Sequence, residues 1–223
     1  MKIKCWITIA ILSSLIFFSC GCITKEAIST DKIAEEIIEK QKDIDDISYS
    51  EILTVSVGNE SRTTESDILY KKQNMFRRIA KVNSTVTSII DSNGTVTWMY
   101  DPYESVVMIL NKTQSDFVQE PLSYAKFVNN LLTKYTVGYN GTESINGRNA
   151  YRIRLVPKIQ HPPGNRSYWL WVDSETWLPL KVQTYGDGEL LMTLEYRDVK
   201  INAGIPDAEF EFEIPKGARV LRK

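Results

Sequence analysis

The stretch Trp171-Val172-Asp173-Ser174-Glu175-Thr176-Trp177-Leu178-Pro179-Leu180-Lys181-Val182 decides the fold class. It reads as two strands joined by a polar turn through Asp173 to Thr176, with Trp177 and Pro179 flanking Leu178 where the returning strand begins. Pro179 has no N–H to give to a ladder, so it belongs at a strand start or edge. On the N-terminal side, Tyr151, Ile153 and Leu155 alternate with Arg152 and Arg154 after an Asn146-Gly147 turn. On the C-terminal side, Leu178 to Thr184 leads through Gly186-Asp187-Gly188 into Glu189 to Val199, and Phe210-Glu211-Phe212-Glu213-Ile214 alternates once more, predicting a last strand.

The earlier half reads the same way. From Ser48 to about Asn111 the period is two, rich in Val, Ile, Thr and Tyr. Asn93-Gly94, between Ser88-Ile89-Ile90 and Thr95 to Tyr100, is a strong hairpin signal. Asp101-Pro102 then turns the chain into Ser105 to Leu110. The count is roughly eleven strands joined by hairpins, with no βαβ pattern. Two amphipathic helices complete the set. Ile33, Ile37, Ile38 and Ile44 recur at helical spacing after Ser29-Thr30-Asp31, which offers N-cap residues, and Tyr124, Phe127, Val128, Leu131, Leu132 and Tyr135 recur after Pro121. The fold class expected is mainly β with helices laid on the sheet.

The chain begins with Lys2 and Lys4, an apolar run from Cys5 to Phe18, and Ser19-Cys20-Gly21-Cys22, the order of an export signal. The run is about 14 residues where a spanning helix needs roughly 20, so cleavage is expected, an uncleaved anchor being the alternative. Gly21 before Cys22, with Ser19 upstream, resembles a prokaryotic lipobox, which implies lipidation of Cys22, with Cys20 as the other acceptor. The expected organisation is a signal peptide over 1–21, a lipidated tether over 22–30 and one domain over 31–223. The mature protein is then exported and lipid-anchored to the outer face of the cytoplasmic membrane.

Composition excludes much else. All three cysteines lie in the signal region, so the folded domain has no disulfide, thiol nucleophile or cysteine metal site. Of 27 basic and 28 acidic residues, cleavage removes two lysines and no acid, leaving a mildly acidic domain without the basic stripe of a nucleic-acid binder. Six N-x-Ser/Thr sites, at Asn59, Asn83, Asn93, Asn111, Asn140 and Asn165, exceed the roughly two expected by chance and favour a glycosylated surface. A lipobox combined with many such sites points to an archaeal cell surface. The single His161 lies in the loop-like Gln160-His161-Pro162-Pro163-Gly164, and Asp43, Asp45 and Asp46 read as a solvated helix end. No phosphate loop or nucleophile elbow is present, so no enzyme, metal or cofactor is expected.

Three blocks carry a family resemblance: Ser144-Ile145-Asn146-Gly147-Arg148-Asn149-Ala150-Tyr151-Arg152-Ile153, the Trp171–Val182 hairpin, and Phe210-Glu211-Phe212-Glu213-Ile214-Pro215-Lys216-Gly217-Ala218. Together they resemble the LolA/LolB superfamily of lipoprotein-sorting proteins, which covers nearly all of the mature chain. That resemblance implies a strongly curved, unclosed antiparallel half-barrel with helices packed across its concave face and an apolar cavity for acyl chains between them. Candidate lining residues are Val96, Trp98, Tyr100, Met108, Leu110, Phe127, Leu131, Trp169 and Trp171, although each alone also fits a dry core. The function expected is a membrane-anchored carrier or receptor for a lipid or lipoprotein acyl chain. The alternative is a non-catalytic envelope sensor of the RseB kind with a membrane-protein partner.

Overall fold

The computed structural model describes residues 29–111, 131–159 and 165–222. Its first element is helix α1, Thr30–Lys42, opened by Ser29, whose hydroxyl accepts the Lys32 N–H at 3.2 Å. Ile33 and Ile37 are almost fully buried, while Glu35 and Glu39 on the opposite side face solvent. Burying each such isoleucine contributes about 1.5–3 kcal/mol, which holds a helix too short to persist alone.

Strands β1 (Asp46–Val57), β2 (Glu60–Lys71), β3 (Met75–Val82), β4 (Thr85–Asn93), β5 (Val96–Asp101) and β6 (Val106–Asn111) follow as one antiparallel meander. A short helix α2 (Leu131–Lys134) leads into the second meander, β7 (Tyr135–Ile145), β8 (Arg148–Pro157), β9 (Arg166–Asp173), β10 (Pro179–Gly186) and β11 (Glu189–Ile201). Strand β1 pairs with β11 and fuses the two meanders. The last strand, β12 (Arg219–Arg222), runs parallel to β6, giving the order β12-β6-β5-β4-β3-β2-β1-β11-β10-β9-β8-β7. The two ends of this order, β12 and β7, are not paired to each other, so the sheet is unclosed. Breaks in register at Ser48/Ser50, Ala80/Lys81, Tyr139/Thr142, Pro179/Lys181 and Thr184/Tyr185 add the local bending such a sheet needs.

Turn chemistry sets these registers. Asn146-Gly147 and Asp187-Gly188 carry positive φ at both positions, as a two-residue hairpin turn demands. At Asn93-Gly94 only the glycine is left-handed, and Asn93 Oδ1 instead accepts the Thr95 and Val96 N–H groups at 3.1 and 3.0 Å. A Cβ on Gly94 would collide with the Gln73 carbonyl oxygen.

In the Trp171–Val182 hairpin the buried Asp173 organises the turn. Its Oδ1 accepts the Glu175 and Thr176 N–H groups at 2.7 and 3.1 Å, and its Oδ2 faces the Arg148 guanidinium of β8. Trp177 then takes φ 59°, unusual for a bulky residue, and its ring lies 5.2 Å from that of Tyr151 in the core beneath α1.

Three expectations need correcting. Phe210 to Ile214 is not a strand. Asp207–Phe210 is a 3-10 turn that sinks Phe210 between Met75 and Ile205, the segment beyond it crosses a sheet face, and β12 takes the sheet edge at β6. Helices across one face reduce, among the described residues, to α1 and the four residues of α2; the stretch from Pro121 to Asn130 lies outside them. Asp46 is no solvated helix end, because its carboxylate is buried and accepts the Ala203 and Gly204 N–H groups at 2.9 and 3.0 Å.

Candidate functional site: the helix face of the sheet

Residues paired directly across antiparallel strands point to the same side, so the registers divide the sheet into two faces. The helix face carries Ile153, Leu155, Leu170 and Val172 beneath Ile33 and Ile37 of α1. It continues through Tyr49, Ile68, Phe76 and Tyr196, joined by Ile44 and Leu178, and past Ile90 to the pair Met99 and Met108. Met99 and Met108 are half-buried, and among the described residues no helix lies over them.

This run is interrupted at one ion pair. Arg78 in β3 donates from Nη2 to Glu51 Oε1 at 3.0 Å and from Nε to Ser66 Oγ at 3.2 Å. Burial holds the Glu51 carboxyl above its ordinary range, against the opposing pull of Arg78. Burial also pushes the phenols of Tyr49 and Tyr196 up, and their rings meet edge to face at 5.4 Å.

The other side of the sheet is the tail face. Arg77 forks onto the fully buried Asp91 at 2.7 and 2.9 Å and donates to the Glu211 carbonyl at 3.2 Å, pinning the C-terminal segment. Phe212 in that segment lies 6.4 Å from Trp98 and 6.0 Å from Tyr100. A cleft of about 580 Å³ remains between segment and sheet, lined by Arg77, Ile79, Ile89 and Phe212 among others.

The candidate lining residues do not gather on one face. Trp98 pairs with Ile109 and Asp91, which puts Val96, Trp98 and Tyr100 on the tail face. Met108 pairs with Met99 and Leu110 with Thr97, which puts both on the helix face. Trp169 and Trp171 turn away from α1, opposite Arg154 and Arg152. There Arg152 lies 4.1 Å over the Trp169 ring, Lys181 lies 4.9 Å over the Trp171 ring, and Trp171 Nε1 donates to Glu143 Oε2 at 2.8 Å.

Phe127 and Cys22 lie outside the described residues, as does His161, and of Leu131 only the backbone is described. Sequence reasoning passed over Met99, Arg78 and Glu51. Period-two parity, carried across the hairpin from Met99 to Met108, was the signal that could have found the first. Among the six sequons, Asn59, Asn83, Asn111, Asn140 and Asn165 are exposed, while Asn93 is half-buried with its Oδ1 engaged in the turn. Among the described residues no cluster of three or more His, Cys, Asp or Glu side chains could hold a metal ion, and no helix is long and apolar enough to cross a membrane.

A twelve-stranded unclosed sheet built of two hairpin meanders, with an apolar face under a helix, defines a mainly β half-barrel. Among solved structures, an uncharacterized conserved protein of Thermus thermophilus matches 85% of this chain and 99% of its own at TM-score 0.57 and 14% identity. The Mycobacterium tuberculosis lipoprotein LppX matches 80% of this chain and 99% of its own at TM-score 0.52 and 12% identity. A LolA superfamily protein of Nitrosomonas europaea matches 83% of this chain and 99% of its own at TM-score 0.38 and 17% identity. At such identities the likeness of the first two is one of fold.

A family model described as "uncharacterized protein" and "-like" matches residues 70–210, more than half of the chain, and the chain belongs to that family. An uncharacterized protein of Methanocaldococcus jannaschii is 28% identical over 207 residues, which is 92% of this chain. The chain spans 57% of the length of that relative.

Proposed function

We propose that this protein is a membrane-anchored extracytoplasmic lipoprotein that holds a lipid, or the acyl part of a lipoprotein, against the helix face of its half-barrel. The observation that carries this reading is the apolar run from Met108 to Leu170, of which α1 packs only on the β7–β10 side among the described residues. Each methylene moved out of water contributes about 0.8 kcal/mol, so a chain of about 16 carbons brings on the order of 10 kcal/mol before ordering costs. No covalent chemistry is needed, and methionines suit a lining that adapts to chain shape. The lipobox-like Gly21-Cys22 supports the anchor, and the archaeal source of the M. jannaschii relative supports an archaeal origin.

Native mass spectrometry of the protein made in a lipid-containing host, followed by organic extraction, tests the reading. Co-purified lipid, or uptake of an acyl or isoprenoid probe, is expected. A folded protein that is empty and takes up neither probe would refute it, and specific capture of a membrane protein by that empty form would favour the sensor alternative.

A further inference from the structure

Arg78 and Glu51 place an ion pair in the middle of the helix face, between its apolar residues and beside the Ser66 hydroxyl, and their position there has a cost. Their side chains are only 33% and 16% exposed, and an ion pair so enclosed adds little to stability over an apolar pair of similar size. Fold stability alone therefore gives no reason for it.

The pair is also incompletely used. Arg78 spends its Nε–H on Ser66 and one Nη2–H on Glu51, and among the described residues Nη1 and the second Nη2–H have no further partner. Those two nitrogens lie side by side in the fixed geometry that takes two oxygens of a phosphate or carboxylate. Ile68 and Ile90 flank Arg78 on the neighbouring strands, and Leu53 and Leu194 continue the face beyond Glu51. An oxyanion held at this point would have hydrocarbon-compatible surface on both sides. Glu51 opposes an arriving anion only while ionised, and burial shifts its carboxyl towards keeping its proton.

We propose that Arg78, supported by Ser66 and Glu51, is a head-group subsite that takes the phosphate or carboxylate of an anionic amphiphile whose chain lies along the apolar helix face. The proposal rests on the lipid-binding reading and names the ligand class.

The test compares oleyl phosphate, oleate and oleyl alcohol, equal in chain length, by native mass spectrometry of the full chain in a non-ionic maltoside detergent. The protein should prefer oleyl phosphate, oleate or both over the alcohol by about tenfold or more. Which anion is preferred tells a phosphate head from a carboxylate head. The double variant Arg78→Met/Glu51→Gln leaves neither charge unpaired and should lose this preference while keeping its alcohol affinity. Arg78→Lys, which retains charge without the fork, should fall between the two. Equal binding of all three probes by the unaltered protein would overturn the subsite while leaving lipid binding standing. Binding of none would overturn both.

Discussion

At the scale of single residues, the buried Asp173 and the half-buried Glu51 do different work. Asp173 caps the turn after β9 and faces Arg148 at the start of β8, so it ties the β7–β8 and β9–β10 turns at one point. Asp173→Ala uncaps two amides and removes the partner of the partly exposed Arg148, and should cost about 1–3 kcal/mol in denaturant unfolding, with Asp173→Asn milder because the cap survives. Glu51 makes the opposite kind of prediction. Its carboxyl sits above 4.5 in the folded protein, so the folded state holds its proton more tightly than the unfolded state does. Stability from this group is present below pH 4.5 and is lost as pH rises through the folded value. Glu51→Gln should remove that segment of the pH–stability curve, measured by thermal melts from acidic to neutral pH, whereas an unchanged curve would contradict the assignment.

Residue roles were the least legible part of the sequence. Trp98, Tyr100, Trp169 and Trp171 look like cavity residues because they are large, yet size says nothing about which face a strand presents. The tail segment covers Trp98 and Tyr100 with Phe212, and Arg152 and Lys181 lie over the other two rings. Only the cross-strand register, which depends on the number of residues in each turn, separates Trp98 from Met99.

Among elements, α1 and the hairpins were readable because their signals are local. A polar N-cap, isoleucines four residues apart and Asn-Gly or Asp-Gly turns specify conformation without knowledge of the partner. Ile37→Ala should therefore cost about 2–4 kcal/mol, the value of a large side chain removed from a closed core. Gly94→Ala should destabilise more than a turn substitution ordinarily does, because it combines left-handed strain with a clash at Gln73, and retained stability in calorimetry would show that the β4–β5 turn relaxes. The Phe210 to Ile214 segment misleads for the same reason in reverse. Phe and Glu alternate as in a strand, but Phe210 is claimed by Met75 and Ile205 while β12 takes the edge of β6, and neither competitor is local.

For the whole molecule, the anchor and the binding face make separate claims. Cys22→Ala should release the protein from the membrane fraction without altering its melting temperature, and retention on the membrane would refute lipidation at that position. The binding face is tested most directly by one pair of substitutions on adjoining strands that point to opposite sides of the sheet. Met108→Glu places a charge on the helix face and Trp98→Glu places one under the tail segment. With both variants folded by circular dichroism, the lipid co-purified with each is quantified against the unaltered protein. The account predicts that Met108→Glu loses bound lipid while Trp98→Glu keeps it. Lipid lost from Trp98→Glu and kept by Met108→Glu would contradict it.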